Sequence, residues 1–471
     1  MTTTLPFRPP LATPVLDIDQ ALISRFAGRG PRYTSYPSAD RLQANFDPAR
    51  FTQALLERAG RRDAALGMYI HVPFCRTLCY YCGCNKIGTR HPERALPYVD
   101  ALIAEMDRVT SLVGPGQRLS HLHFGGGTPT FLEDAELARL FAAIDRRFER
   151  APDGEYSIEI DPRTVTPARL WTLRALGLNR VSLGIQDFDP QVQAAVNRVQ
   201  SPEETRALIR TAREAGYHSI NADLIYGLPL QTLASFARTV ELTIDAGPDR
   251  IALYQYAHLP EVFKPQRRIL EAQLPSGDLR ARLFEQAARQ FGDAGYVHLG
   301  LDHFARPDDE LAIAQREGRL HRNFQGYCSH DSGDLIALGV SSISSVGGVM
   351  AQNEKTLDAY YARLARGELP VARGIALSRD DFIRRDVIQS LMCQFSVAWA
   401  DIGAAHGIQA GDYFAAEIAD LAPMHEAGVI RLDAAGIEVL PRGRLLVRAV
   451  AMAFDRFLKQ EPATATYSRI A

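Results

Sequence analysis

Met68-Tyr69-Ile70-His71-Val72-Pro73-Phe74-Cys75-Arg76-Thr77-Leu78-Cys79-Tyr80-Tyr81-Cys82-Gly83-Cys84 is an apolar run that passes through a proline into four cysteines within ten residues. The run reads as a buried strand and the cysteines as the loop at its carboxyl end. Cysteines so close together cannot staple distant parts of a large fold, and Cys328 and Cys393 stand alone far downstream. The cluster therefore points to metal binding or redox chemistry in a reducing compartment. Thiolates spaced C-x3-C-x2-C, at Cys75, Cys79 and Cys82, suit three corners of a cubane iron–sulfur cluster and leave one iron open, whereas an electron-transfer cluster normally takes four. Zinc is the alternative, although no second C-x-x-C or matching histidine pair follows downstream. Cys84 could complete a four-cysteine site only through a sharp bend, so it is taken as an auxiliary, catalytic residue.

Outward from this loop the chain alternates. Strands are expected at Gly67–Val72, Leu119–Phe124, Tyr156–Ile160, Arg180–Gln186, Ser219–Tyr226, Arg250–Tyr256 and Val297–Leu301. Helices are expected at Leu96–Leu112, Asp134–Arg147, Pro167–Ala175, Glu203–Ala215, Thr232–Asp245 and Leu279–Ala294. Repeated strand and helix imply parallel strands with right-handed crossovers, and the expected class is α/β, a partial (β/α)6-type TIM-like barrel. The cysteine loop then lies on the carboxyl-end face, where such barrels carry their sites. Gly125-Gly126-Gly127-Thr128-Pro129-Thr130 lacks the third glycine of a dinucleotide fingerprint, which disfavours a Rossmann dehydrogenase.

Three segments are expected. Residues 1–60 form a Pro- and Arg-rich extended arm, with a lid over substrate as its candidate role. Residues 61–375 form the catalytic barrel with its extension. Residues 376–471 form a mainly helical domain, with helices at Asp380–Cys393, Ala410–Ala422 and Arg444–Leu458 and a hairpin around Ala434-Ala435-Gly436.

Composition bounds the function. The 471 residues carry 53 Lys+Arg against 55 Asp+Glu, a formal charge of −2, which argues against a nucleic-acid coat. With 46% hydrophobic and 23% charged residues, the chain has the makings of a globular core. The first thirty residues lack a basic start followed by an apolar stretch, so a cytoplasmic chain is expected. The uncharged stretch Leu335–Ala351 is too short and too rich in serine and glycine to span a bilayer, and is read as a buried strand and turn.

Several polar and glycine residues fall at the strand ends. Gly125 to Gly127 leave backbone amides free to approach a ligand, or simply make a tight turn. Glu159, Gln186 and Asp223 lead toward one face, where they can hydrogen-bond hydroxyl or amino groups.

The cysteine spacing, followed by Gly-Gly-Gly-Thr-Pro after the second strand, resembles the radical S-adenosylmethionine (SAM) enzymes. Tyr81, Cys84, Pro31 to Pro37, Tyr254-Gln255-Tyr256-Ala257-His258-Leu259-Pro260, Asp302-His303-Phe304-Ala305-Arg306-Pro307-Asp308 and Asn323-Phe324-Gln325-Gly326-Tyr327 are similar to the branch that decarboxylates coproporphyrinogen III without oxygen. The resemblance covers the chain from about residue 30 onward. It implies a 4Fe–4S cluster on Cys75, Cys79 and Cys82 and two SAM molecules. The first is expected against Tyr69, Gly126, Glu159 and Ile343, with Tyr69 also catalytic. The second is expected against Tyr81, Gly127, Thr128, Gln186, Arg198, Asp223 and Ala257.

The implied reaction turns the propionates of rings A and B of coproporphyrinogen III into the vinyls of protoporphyrinogen IX through a 5′-deoxyadenosyl radical. An electron donor such as flavodoxin or ferredoxin is implied, with no nucleic-acid or membrane partner and a monomeric state. Arg32, Arg267, Arg268, Arg306 and Arg322 are candidate partners for the substrate carboxylates. Two sister branches, a haem-binding chaperone and an anaerobic haem-degrading enzyme, share the motifs and remain the alternatives.

Overall fold

The computed structural model describes residues 16–323, 326–329 and 333–460. The chain divides into two compact units: Leu42–Phe284 with Ser332–Ala376, and the described parts of Met1–Arg41, Glu285–Asp331 and Leu377–Ala471. The sequence reading placed breaks at 60 and 375; a unit boundary falls at Ala376/Leu377, while the other boundaries make both units discontinuous, because packing between distant segments leaves no trace in local periodicity.

The first unit alternates β1 (Leu66–Val72), α1 (Ala95–Val113), β2 (Gln117–Gly126), α2 (Asp134–Asp145), β3 (Phe148–Ile160), α3 (Pro167–Ala175), β4 (Arg180–Gln186), α4 (Pro202–Glu214), β5 (Ser219–Tyr226), α5 (Leu233–Ala246) and β6 (Arg250–Gln255). Strands β1 to β6 pair in parallel in chain order. On its other side β1 pairs in parallel with Asp334–Leu338, from which Ile343–Val346, Val349–Asn353 and Val371–Ala376 continue as an antiparallel ladder. This is the expected partial barrel, and the apolar stretch Leu335–Ala351 is resolved as strand and turn. No described helix is long and apolar enough to cross a membrane.

The strands alternate in a way that builds both core and site. Met68, Ile70, Val72, Leu122, Phe124, Ile158, Val181, Leu183 and Ile220 are buried against the helices, while Tyr69, His71, His123, Ser157, Glu159, Ser182, Gln186, Asn221 and Asp223 fall on the intervening positions. With a side-chain period of two, those intervening positions share the concave face. The helices start on local signals: Ser201 caps α4 ahead of Pro202 at the first position, and Thr166 caps α3 ahead of Pro167.

The second unit has its own core, centred on Ile383, Val387, Leu391, Phe414, Val447 and Phe454. The Pro31–Pro37 stretch is packed into it: Tyr33 donates to Asp455 at 3.0 Å, Arg448 Nε donates to the Pro31 carbonyl at 3.0 Å, and Tyr36 is buried. The arm also carries helices, Gln20–Phe26 here and Pro48–Arg58 in the first unit. The expected helix Ala410–Ala422 is three short pieces, interrupted at Phe414 and Leu421 with Pro423 opening the last. The expected helix Arg444–Leu458 breaks before Asp455, whose side chain accepts from the Phe457 amide and caps a new turn. A third strand, Ser396–Ala398, joins the hairpin Ile430–Asp433/Gly436–Val439; three residues are too few to show a period. In the Asn323–Tyr327 segment, Phe324 and Gln325 lie outside the described residues.

Candidate active site

Strand β1 ends at Val72, and Phe74-Cys75 then pairs in parallel with Ile87-Gly88, which closes the cysteine segment into a loop. Cys75 and Cys79 are buried, Cys82 half-buried and Cys84 exposed. Each of the three expected ligands has a donor beside its sulfur or main chain. Thr128 Oγ1 donates to Cys75 Sγ at 3.5 Å, and Arg163 Nη2 and Arg198 Nη1 donate to Cys79 Sγ at 3.4 and 3.3 Å. Lys86 Nζ donates to the Cys82 carbonyl at 2.6 Å. Burial pushes the Cys75 thiol up to about 11. Cys82 is pulled down to about 6 by the hydrogen bond from Cys84 and the nearby Lys86 ammonium, while Cys84, its hydrogen-bond partner, is pushed up.

Arg198, only 6% exposed, is the hub of this region. Besides Cys79 it donates to the Gly184 carbonyl at 2.5 Å and to Asp161 Oδ2 at 3.3 Å. Arg163 clasps the same carboxylate at 2.7 Å. Burial would raise the Asp161 carboxyl, but the two guanidinium groups hold it below its ordinary value. The sequence reading named Arg198 but not Asp161 or Arg163. Their one signal was position, directly after the polar end of β3. A cavity of about 210 Å³ lined by Arg76, Thr77, Thr128, Asp161, Arg163 and Thr164 lies beside this clasp.

The concave face continues the site. Tyr69 Oη meets His71 Nδ1 at 3.1 Å, and its ring stacks on His123 with centroids 5.8 Å apart. Glu159 receives the Gly126 amide at 3.2 Å and faces His123 Nε2 at 3.3 Å. Asp223 accepts from Ser182 at 2.9 Å and Asn221 at 2.8 Å, and burial pushes its carboxyl up to about 6. Gln186 ends β4 with φ of 67°, and its buried Oε1 has no partner among the described residues. Gln266 Nε2 joins the Tyr81 and Ala257 carbonyls at 2.8 and 3.1 Å, which brings those two expected residues together. Ile343 opens its strand opposite Gln352 and is separated from β1 by the strand Asp334–Leu338.

The glycines are used differently from the expectation of free amides. Gly127 N donates to the Val72 carbonyl and Thr128 N to the Phe74 carbonyl, each at 2.8 Å. A Cβ on Gly127 would stand 2.6 Å from the Pro73 carbonyl oxygen, and Gly126 has φ of 114°. These glycines let β2 close against the end of β1, and of the three amides only that of Gly126 turns toward a site carboxylate.

The donor set suits an anionic iron–sulfur cluster. Three thiols share one loop, and a buried guanidinium beside Cys79 keeps its Nε without a partner among the described residues. No three His, Cys, Asp or Glu side chains among the described residues converge on a single-ion position. A cubane asks for something else, since its corners spread the thiolates apart. The unpartnered Gln186 Oε1 and the carboxylates of Glu159 and Asp223 likewise suit a ligand that brings hydroxyl and amino donors.

Comparison with known proteins gives the same picture. The profile of the radical SAM superfamily matches residues 69–243, and that of the HemN C-terminal domain matches residues 377–446. The chain is 46% identical over 455 residues to the oxygen-independent coproporphyrinogen III oxidase of Escherichia coli (strain K12), covering 97% of this chain and 99% of that one. It is 47% identical over 443 residues to the oxygen-independent coproporphyrinogen III oxidase of Pseudomonas aeruginosa, covering 93% and 96%. The solved structure of coproporphyrinogen III oxidase (HemN) from Escherichia coli, described as a radical SAM enzyme, superposes with a TM-score of 0.90 at 45% identity, over 94% of this chain and 100% of that one.

Proposed function

The chain belongs to the oxygen-independent coproporphyrinogen III oxidase family of radical SAM enzymes, and on that premise we propose that it converts the propionates of rings A and B of coproporphyrinogen III into the vinyls of protoporphyrinogen IX. The observation that carries this reading is a three-thiol loop at the head of a polar barrel face that keeps a buried amide oxygen and a guanidinium nitrogen without partners among the described residues. A 4Fe–4S cluster on Cys75, Cys79 and Cys82, with two SAM molecules, supplies the one-electron chemistry needed to break a C–H bond too weakly acidic for any side-chain base.

The protein's own residues hold and shield. Arg198 and Arg163 point N–H groups at Cys79 Sγ and offset the negative charge gathered on the loop. Glu159 and the Gly126 amide are assigned to the amino-acid end of the first SAM, beside Tyr69 and Ile343. Gln186, Asp223 and Arg198, with Tyr81, Gly127, Thr128 and Ala257, are assigned to the second. Tyr69 reaches the concave face with its hydroxyl oriented by His71, and Cys84 sits beside Cys82 as an auxiliary thiol. For each vinyl formed, the hydrogen atom lost from the propionate would pass to the 5′-deoxyadenosyl group and the remaining CO2 and one electron would leave, the electron to an acceptor; a separate donor of the flavodoxin or ferredoxin kind would supply the electron that cleaves SAM. Free cysteines throughout support a reducing, cytoplasmic setting. A monomer is assigned and is testable by sedimentation.

The test is anaerobic reconstitution with iron and sulfide, followed by incubation with coproporphyrinogen III, SAM and a reductant. Protoporphyrinogen IX appearing with methionine and 5′-deoxyadenosine is the expected result. Tight haem binding with coproporphyrinogen left unchanged would contradict it and favour a chaperone.

A further inference from the structure

Gln186 holds a backbone conformation that its neighbours have to impose. Its φ of 67° lies in the region that disfavours a side chain, and the Asp187 amide donates back to the Ile185 carbonyl at 2.9 Å, closing a three-residue γ-turn around it. Glycine would sit there without strain, but it would bring no amide. Strain of this kind persists only where the surroundings over-determine it.

The surroundings do so on both flanks of the turn. Gln200 Nε2 donates to the Ile185 carbonyl, Gln193 Nε2 donates to the Asp187 carbonyl at 2.9 Å, and the Phe188 amide donates to Thr239 Oγ1 at 3.1 Å. The Asp187 carboxylate, 2% exposed, lies at the centre. Its Oδ1 accepts from Thr239 Oγ1 at 2.8 Å and from the Asp189 amide at 2.7 Å, and its Oδ2 accepts from Gln231 Nε2 at 2.6 Å. Gln231 cannot turn its own amide over, because its Oε1 receives the Leu228 amide at 2.9 Å and its Nε2 also serves the Ile225 carbonyl at 2.8 Å.

The side chain held by this clamp is itself unsatisfied. Gln186 lies back over Gly184, where a Cβ would stand 2.8 Å from both Gln186 Nε2 and Arg198 Nη2. Two site groups thus share the space that Gly184 leaves, and Gln186 Oε1 is buried with no partner among the described residues. A closed network that fixes a strained residue, whose amide oxygen then points at nothing, makes physical sense where a ligand brings the missing donor.

We propose that Asp187 is a positioning residue for the second SAM: clamped by Gln231 and Thr239, it holds the γ-turn that aims the Gln186 amide at the ligand. The inference rests on the functional reading above, which supplies that ligand. Every residue involved belongs to the first unit. Asp187 acts only through the turn.

The test is equilibrium dialysis of cluster-loaded enzyme against SAM under nitrogen. Asp187→Asn keeps the shape but sets an N–H2 group against donors. It should leave the first SAM bound and weaken the second about 5-fold. The decisive reading is a double-mutant cycle: in a Gln186→Ala background the same change should move SAM affinity by less than about 1.5-fold, because the residue it acts through is gone. Equal weakening in both backgrounds, or none in either, would overturn the proposal and mark Asp187 as structural. Gln186→Gly should melt above Gln186→Ala, since only glycine relaxes at this φ; the reverse order would remove the strained turn and the proposal with it. Should Asp187→Asn fail to fold, Thr239→Val, which keeps the shape and removes the hydroxyl, goes through the same cycle: weakening that depends on Gln186 supports the proposal, and any other result overturns it. Wild-type enzyme that binds no SAM would sink the functional reading itself, a result separate from the behaviour of the variants.

Discussion

Two buried polar clusters in the first unit invite comparison, because they share β1 yet end in opposite states. One lies among α1, β1 and the strands beyond. There Glu105 accepts from the Gly339 amide at 2.8 Å, the Tyr360 hydroxyl at 2.6 Å and Asn353 Nδ2 at 2.6 Å. Tyr98 donates to the His71 carbonyl at 2.6 Å and accepts from the Val340 amide at 3.1 Å. None of the side-chain nitrogens or oxygens of these residues is buried without a partner. The other cluster is the concave face, where Gln186 Oε1 and Arg198 Nε have none among the described residues and the thiols of the loop form no disulfide. A closed network fixes the end of β1 and the Gly339 turn. An open one waits for a ligand.

The comparison can be broken most forcefully at the open cluster. Cys79→Ser should abolish iron–sulfur incorporation and product formation, read by iron analysis and chromatography, while circular dichroism stays that of the wild type. Next in size is the closed cluster: Glu105→Ala strands three donors and should cost about 3 to 5 kcal/mol in urea unfolding, with the cysteine loop still able to take up iron. Gln186→Ala should do the reverse, weakening SAM binding about 10-fold by equilibrium dialysis while moving stability by less than about 0.5 kcal/mol.

A further effect is a pH dependence. Burial pushes the Glu105 carboxyl up to about 7 from an ordinary value of 4.5. The folded state therefore holds the proton more tightly than the unfolded one. The associated stabilisation is complete below the ordinary carboxylate range and is lost as pH rises through about 7. Glu105→Gln should remove that part of the slope in denaturation curves between pH 5 and 7. A slope identical to wild type would place the titrating group elsewhere.

Much of the concave face was legible in the sequence. Arg180–Gln186 and Ser219–Tyr226 are strands over the expected residues because their alternating apolar positions and flanking turns leave little choice. Once those strands are parallel, Glu159, Gln186 and Asp223 must fall on one side. The Asp161–Arg163–Arg198 clasp on Cys79 was not legible, since it joins the loop after β3 to a loop more than 80 residues earlier. Nor was the split of the second unit into three stretches: Asp455 caps one helix while accepting from Tyr33, 422 residues away, and no local pattern encodes that pairing. The glycines at the end of β2 were read either as a ligand approach or as a tight turn. Their demand comes from the close approach of Pro73 and His71 as much as from any ligand.

The central claim is that three thiolates of one loop hold a cluster whose fourth iron is left for SAM. Mössbauer spectroscopy of protein reconstituted with 57Fe measures this directly. The account expects one iron in four to change its isomer shift when SAM is added, in wild type and in Cys84→Ser alike. Four irons that ignore SAM, or a response that appears only once Cys84 is removed, would contradict it.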